Sequence, residues 1–291
     1  MDSPGTEFDS LLPPLSLNRR GFLTTTLAGG FTLAAGPVMA QTVVRTDTNG
    51  LVAGEVRIPV RDGEIPAYRA APAGRKNAPV VLVVQEIFGV HEYIRDVCRR
   101  WAKAGYLAVA PELYARQGDP SKYTEIAKLA AEVVSKVPDD QVLADLDATA
   151  RWAAAHGGSR SRVGVTGFCW GGRIVWLYAA HNPAVKAGVA WYGKLVGDPT
   201  ALQPLNPVDV AAQVKAPVLG LYGGQDAGIP LTSINAMKDA LAKGGPAARE
   251  SSFVLFRDAP HGFHADYRPS YREADAKEGW RLARDWFARH L

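Results

Sequence analysis

Cys169 stands between glycines two residues before and two residues after it, in Gly167-Phe168-Cys169-Trp170-Gly171-Gly172. This is the spacing of a nucleophile elbow, where a buried strand turns sharply into a helix. Such a turn leaves its middle side chain at the carboxyl edge of a sheet, and the glycines let neighbouring backbone approach. A helix starting there aims free N–H groups and the positive end of its dipole at the sulfur. That field favours thiolate over thiol. It also makes the Trp170 N–H a natural donor to a developing oxyanion. The chemistry is nucleophilic attack on a carbonyl. A structural cysteine at a tight turn would show the same short motif. The apolar Val163-Gly164-Val165-Thr166 before it and the helical spacing after it favour the nucleophile. Cys98 shares an apolar helical face with Ile94, Val97 and Trp101 and reads as core.

Such a cysteine needs a base and a group to orient that base. Asp226 closes Tyr222-Gly223-Gly224-Gln225-Asp226, directly after an apolar run over 217–221. His261 stands in Pro260-His261-Gly262-Phe263, after a second apolar run over 253–256. Both positions lie just past a strand end, the same edge as Cys169. Nucleophile, acid, histidine is the chain order of α/β-hydrolases. Of the other histidines, His264 is next in line. His91, His156, His181 and His290 fall at helix termini or faces and read as solvated or capping. Glu86 ends the most apolar strand, Val80-Val81-Leu82-Val83-Val84, an odd place for a charge without a partner.

The elements that must position these residues follow from the pattern. Residues 43–70 alternate around Asp62-Gly63, a hairpin signal. Strands are expected at 80–84, 107–110, 163–166, 187–191, 217–222 and 253–256. Helices are expected at 92–104, 121–135, 140–156, from the elbow to about 180, and at 231–243 and 273–289. Strands alternating with helices predict a mainly parallel, doubly wound α/β sheet in a single domain over 41–291.

The chain has 291 residues, 47% hydrophobic and 21% charged, with a net charge of +4. No Lys/Arg-rich run suggests nucleic acid. Two cysteines are too few for a disulfide framework or a cysteine-based zinc site. Arg19-Arg20, a weakly apolar stretch and Val38-Met39-Ala40 have the form of a twin-arginine export signal over 1–40, cut after Ala40. The expected location is periplasmic or secreted, with no membrane span once the signal is removed.

Five stretches resemble the dienelactone hydrolases (carboxymethylenebutenolidases) of the α/β-hydrolase fold, over roughly 50–290. They are Gln85-Glu86-Ile87-Phe88-Gly89, Ala110-Pro111-Glu112-Leu113-Tyr114, the Cys169 elbow, Tyr222-Gly223-Gly224-Gln225-Asp226 and His261-Gly262-Phe263. The resemblance implies a Cys169–His261–Asp226 triad. It implies that Glu86 contacts the resting thiol and helps deprotonate it when substrate arrives, and that the Ile87 N–H is the second oxyanion donor. It also implies that Arg116 grips a substrate carboxylate. A second family arginine is expected shortly after the histidine, where this chain departs: Arg268 takes its place, or nothing does. Tyr192, after the 187–191 strand, is expected to line the pocket.

The expected function is therefore hydrolysis of a small lactone or carboxylic ester through a thioester, with no metal or organic cofactor, by a monomer. A general carboxylesterase, or a non-catalytic or thiol-redox protein on the same fold, are the alternatives.

Overall fold

The computed structural model describes residues 44–291. The expected export signal, 1–40, lies outside the described residues. In chain order the strands are β1 (Leu51–Val60), β2 (Gly63–Pro72), β3 (Ala78–Val84), β4 (Leu107–Pro111), β5 (Gly158–Phe168), β6 (Val185–Trp191), β7 (Val218–Gly223) and β8 (Ser252–Phe256). The α-helices are α1 (Glu92–Lys103), α2 (Ile126–Glu132), α3 (Asp139–Ala155), α4 (Trp170–His181), α5 (Pro207–Val210), α6 (Leu231–Ala242), α7 (Pro246–Glu250) and α8 (Glu273–His290).

The strands form one sheet in the order β1-β2-β4-β3-β5-β6-β7-β8. β1 and β2 pair antiparallel, and β2 joins β4 antiparallel; the pairings from β4 to β8 are parallel. Expectation and structure thus agree on a mainly parallel α/β sheet of the α/β-hydrolase type. The hairpin differs by one residue from its expected centre. Val60 pairs with Gly63, so Arg61-Asp62 make the turn and Gly63 opens β2.

Every residue of β3 is buried, as an apolar run covered on both faces must be. In β6, a Cβ at Gly188 would meet Val175 of α4, whereas the Trp191 ring lies against Gly279 of α8. Positions an odd number apart in a strand face opposite ways, so α4 and α8 cover opposite faces. α8 meets α1 through Trp101, whose ring centroid is 4.4 Å from Trp280 and 5.0 Å from Phe287.

The helix expected over 121–135 is broken. It is a 3-10 turn at Pro120–Lys122, α2, and a second turn at Val134–Lys136. Tyr123 and Glu125 are extended between the first two pieces. Val133 and Val134, stiff at χ1, are buried where the helix ends. α5 and α7, each opened by proline, are too short to leave a periodic signal.

Candidate active site

Five neighbouring strands each deliver one residue to the carboxyl edge of the sheet. Glu86 follows β3, Cys169 follows β5, Tyr192 follows β6, Asp226 follows β7 and His261 follows β8. All five are buried.

Cys169 is the residue before α4, with φ 54° and ψ −118°. A non-glycine side chain at positive φ is strained, and it persists only where the surroundings enforce it. Here they do. The Cys169 N–H donates to Trp191 O at 3.0 Å, and Cys169 O accepts from Gly172 N at 2.9 Å. A Cβ at Gly167 would sit 2.3 Å from Gly171 O, and one at Gly171 would sit 2.5 Å from Gln85 O. The glycines are therefore set by close backbone approach from β3 and within the turn itself. Trp170 is the first residue of α4, so its N–H has no partner inside the helix.

His261 Nδ1 lies 2.7 Å from Asp226 Oδ2. The other Asp226 oxygen accepts from Gly228 N at 3.0 Å. Asp226 thus acts as a turn former with one oxygen and holds the imidazole with the other. His261 Nε2 has no hydrogen-bond partner; Cys169 is a near neighbour that favours charge on the ring. Burial opposes charge on the ring, but Asp226 and Cys169 overcome it and push His261 from 6.5 up to about 10. The Tyr192 ring stands edge-on to His261, centroids 5.1 Å apart, with Tyr192 itself at φ 36°.

Glu86 is held differently from what the resemblance implies. Its Oε2 accepts from Tyr267 OH at 2.6 Å and lies 3.6 Å from His91 Nε2, while Oε1 has no hydrogen-bond partner. Its hydrogen-bond partner is thus Tyr267 and not the Cys169 thiol. Burial would raise this carboxyl, yet His91, Arg268 and Tyr267 together hold it below the ordinary glutamate range. Arg268 is half-buried, with its guanidinium over the Phe88 ring at 5.1 Å and the Tyr267 ring at 5.6 Å. Its charge is countered by burial and favoured by Tyr267, Glu86 and Cys169.

Arg116 is engaged elsewhere. Its Nε donates to Asp62 at 2.7 Å and its Nη1 to Asp145 at 2.8 Å. Two carboxylates already take up the guanidinium, whereas Arg268 makes no ion pair within 4 Å among the described residues. Ile87 is fully buried next to Glu86. His264, the near neighbour of His261, accepts from Tyr93 OH or donates to it at 2.6 Å and stacks on Phe168. Burial and Arg100 push it well below the usual histidine range, which keeps it neutral and structural. His91 and Tyr267 are site residues that the sequence pattern did not single out. Two hollows of about 520 and 560 Å³ open elsewhere, around Asp147 and His181 and around Leu202 and Leu205, and no residue named at the Cys169 edge lines either.

A mainly parallel sheet with a strained cysteine elbow, and an Asp–His pair past the last two strands, defines the α/β-hydrolase class. Within it, a family model for the dienelactone hydrolase family matches residues 65–291, and the chain belongs to that family. A Methylorubrum extorquens protein is 60% identical over 290 residues, 98% of this chain and 99% of its own length. An Escherichia coli K12 protein is 52% identical over 269 residues, 92% of this chain and 98% of its own. Both are named "Putative carboxymethylenebutenolidase". A crystal structure from Klebsiella pneumoniae, described as a "Putative Dienelactone Hydrolase", superimposes with a TM-score of 0.80 at 56% identity, covering 82% of this chain and 99% of that one.

Proposed function

We propose that this enzyme hydrolyses a small lactone or carboxylic ester in two steps, through a thioester on Cys169. The observation that carries the reading is His261, fixed by Asp226 at Nδ1, with Nε2 unpartnered and Cys169 near enough to favour its charge. The sulfur attacks the carbonyl carbon, and the Trp170 and Ile87 N–H groups receive the oxyanion. Donors of this kind are each worth about 10²–10³ in rate. As the C–O bond breaks, the leaving oxygen takes its proton from the His261 imidazolium.

Acylation then changes the base. The thioester sulfur carries no charge, so one of the two groups that raise His261 is lost. The imidazole, now neutral, takes a proton from water as the water attacks the thioester. The acid leaves, the sulfur departs as thiolate, and His261 keeps the proton for the next cycle.

The relatives' names point to lactones bearing a carboxylate. Arg268 is the cation suited to that carboxylate, because it lies within the electrostatic reach of Cys169 and Glu86 and makes no ion pair among the described residues, whereas Arg116 is shared between two aspartates. Tyr192 would form the wall beside His261. Acid quench of the enzyme with a dienelactone or p-nitrophenyl acetate should give an intact-mass adduct that peptide mapping places on Cys169. Wild-type hydrolysis by Cys169→Ala would overturn the mechanism.

Export by the Arg19-Arg20 signal, with cleavage after Ala40, belongs to the same reading. A fused reporter should reach the periplasm and lose that ability with Arg19→Lys and Arg20→Lys. Sedimentation should show a monomer.

A further inference from the structure

Residues 44–49 lie along a face of α1 that an amphipathic helix would give to water. Ile94, Val97, Cys98 and Trp101 form its buried apolar side. Asp96, Arg99, Arg100 and Lys103, spaced i, i+3, i+4 and i+7, form the charged side opposite. Yet Asp96 is fully buried and Arg99 nearly so. The chain before β1 covers them. Thr46 N donates to Asp96 Oδ1 at 2.6 Å, and Arg99 Nε donates to Thr46 O at 2.8 Å. Lys103 Nζ donates to Asp47 at 2.7 Å and to Asn49 O at 2.8 Å.

Arg100 joins this stretch to the segment after His261. Its Nε donates to Asp96, and its Nη2 donates to Asp266 Oδ2 at 2.7 Å. The same Asp266 oxygen accepts the Val44 N–H at 3.1 Å, from 222 residues away. Asp266 is buried, and its other oxygen has no hydrogen-bond partner. A buried carboxylate is costly unless its few donors stay in place. Next to it Tyr267 donates to Glu86, and two residues on is Arg268. His264 is tied to α1 as well, through Tyr93 OH at 2.6 Å. The segment 264–268 is thus fastened to α1 at two points, and one of them includes Val44. Arg268 lies over the Phe88 and Tyr267 rings and makes no ion pair among the described residues. Ring faces direct a guanidinium less than a paired carboxylate does, so the backbone at 266–268 sets where the cation stands. We propose that Val44–Thr46 is a strap and Asp266 a positioning residue, which together hold Arg268 where it can meet a substrate carboxylate. This rests on the reading of Arg268 as the cation for that carboxylate.

Steady-state kinetics on the full chain, with a carboxylate-bearing dienelactone and with p-nitrophenyl acetate, reads the placement of Arg268. Asp266→Ala should raise KM for the lactone by about tenfold. It should leave kcat for the lactone, and both constants for the neutral ester, within about twofold, the pattern of lost placement rather than lost chemistry. Hydrogen exchange followed by mass spectrometry should speed up over 264–268 while β3 stays protected. Val44→Pro removes the N–H that meets Asp266. It should shift the lactone KM the same way by about threefold, the worth of one hydrogen bond. A folded Asp266→Ala with an unchanged lactone KM overturns the proposal. So does a loss shared equally by both substrates, which is what a merely structural role would give. If near-UV circular dichroism shows that Asp266→Ala does not fold, Val44→Pro decides, and no shift there overturns the proposal equally. Failure of the Arg268 reading would look different: Arg268→Met would itself leave the lactone KM unchanged, and the strap would then have nothing to position.

Discussion

Both cysteines of this chain are buried and reduced, yet the regions around them ask opposite things of a thiol. Cys98 lies inside α1 with regular helical backbone, and burial pushes its thiol far above the ordinary cysteine range. Cys169 is just as inaccessible, but it stands on a strained φ of 54° at the start of a helix, with an imidazole beside it. Under the proposed mechanism, burial alone is therefore no guide to reactivity. What differs is the backbone that aims the side chain and the charge that faces it.

The largest break in that contrast should come from removing the charge behind His261. Asp226→Asn keeps the shape but takes away the carboxylate that does most to keep the buried ring charged. We expect kcat/KM for an activated ester to fall by about 10³–10⁴, as when the orienting carboxylate of a triad is neutralised. Alkylation of Cys169 should slow toward the inertness of Cys98. The same variant should flatten the pH dependence of stability. A histidine raised from 6.5 to about 10 contributes stability that is fully present below 6.5 and is lost as pH rises through about 10. Urea unfolding across that window should show the decline in the wild type and a shallower one in the variant. Equal slopes would mean that Asp226 does not set the charge of His261.

Much of this edge is legible from residue order. The apolar run at 80–84 and the glycine spacing around Cys169 announce β3 and the elbow. Asp226 and His261 each follow an apolar run, which places them past strand ends. His91 is not legible, because its partner Tyr267 is 176 residues away and its N-cap position suggests a solvated ring. Arg116 shows the reverse problem. The resemblance implies a cation that grips substrate, but Asp62 and Asp145 reach it from 54 and 29 residues away. Local patterns reveal where a chain turns. They do not reveal which distant carboxylate reaches a guanidinium first.

That distinction between the two arginines can be sharpened. Arg268→Met should raise KM for a carboxylate-bearing lactone by about 10- to 100-fold, the worth of a charge-assisted hydrogen bond pair. It should leave KM for a neutral ester nearly unchanged. Arg116→Met should act chiefly on stability, by leaving Asp145 buried without its cation. Equal effects of both variants on the anionic substrate would assign the grip to Arg116 as well.

The smallest effect expected is at the other cysteine. Cys98→Ala removes one sulfur from the buried side of α1, which also carries Ile94, Val97 and Trp101. A buried thiol of this kind behaves as a small apolar group. Its loss should cost about 1 kcal/mol, at the low end of what a large-to-small core change costs. Denaturant midpoints would measure the loss, and kcat/KM should stay at the wild-type value because the proposed acyl transfer makes no use of Cys98. The variant also leaves a single thiol, so that all alkylation of folded protein reports on Cys169. If iodoacetamide then labels native Cys98→Ala as slowly as it labels Cys98 in a Cys169→Ala protein, the two cysteines are equivalent. The strained backbone and the facing imidazole would in that case not be what separates them.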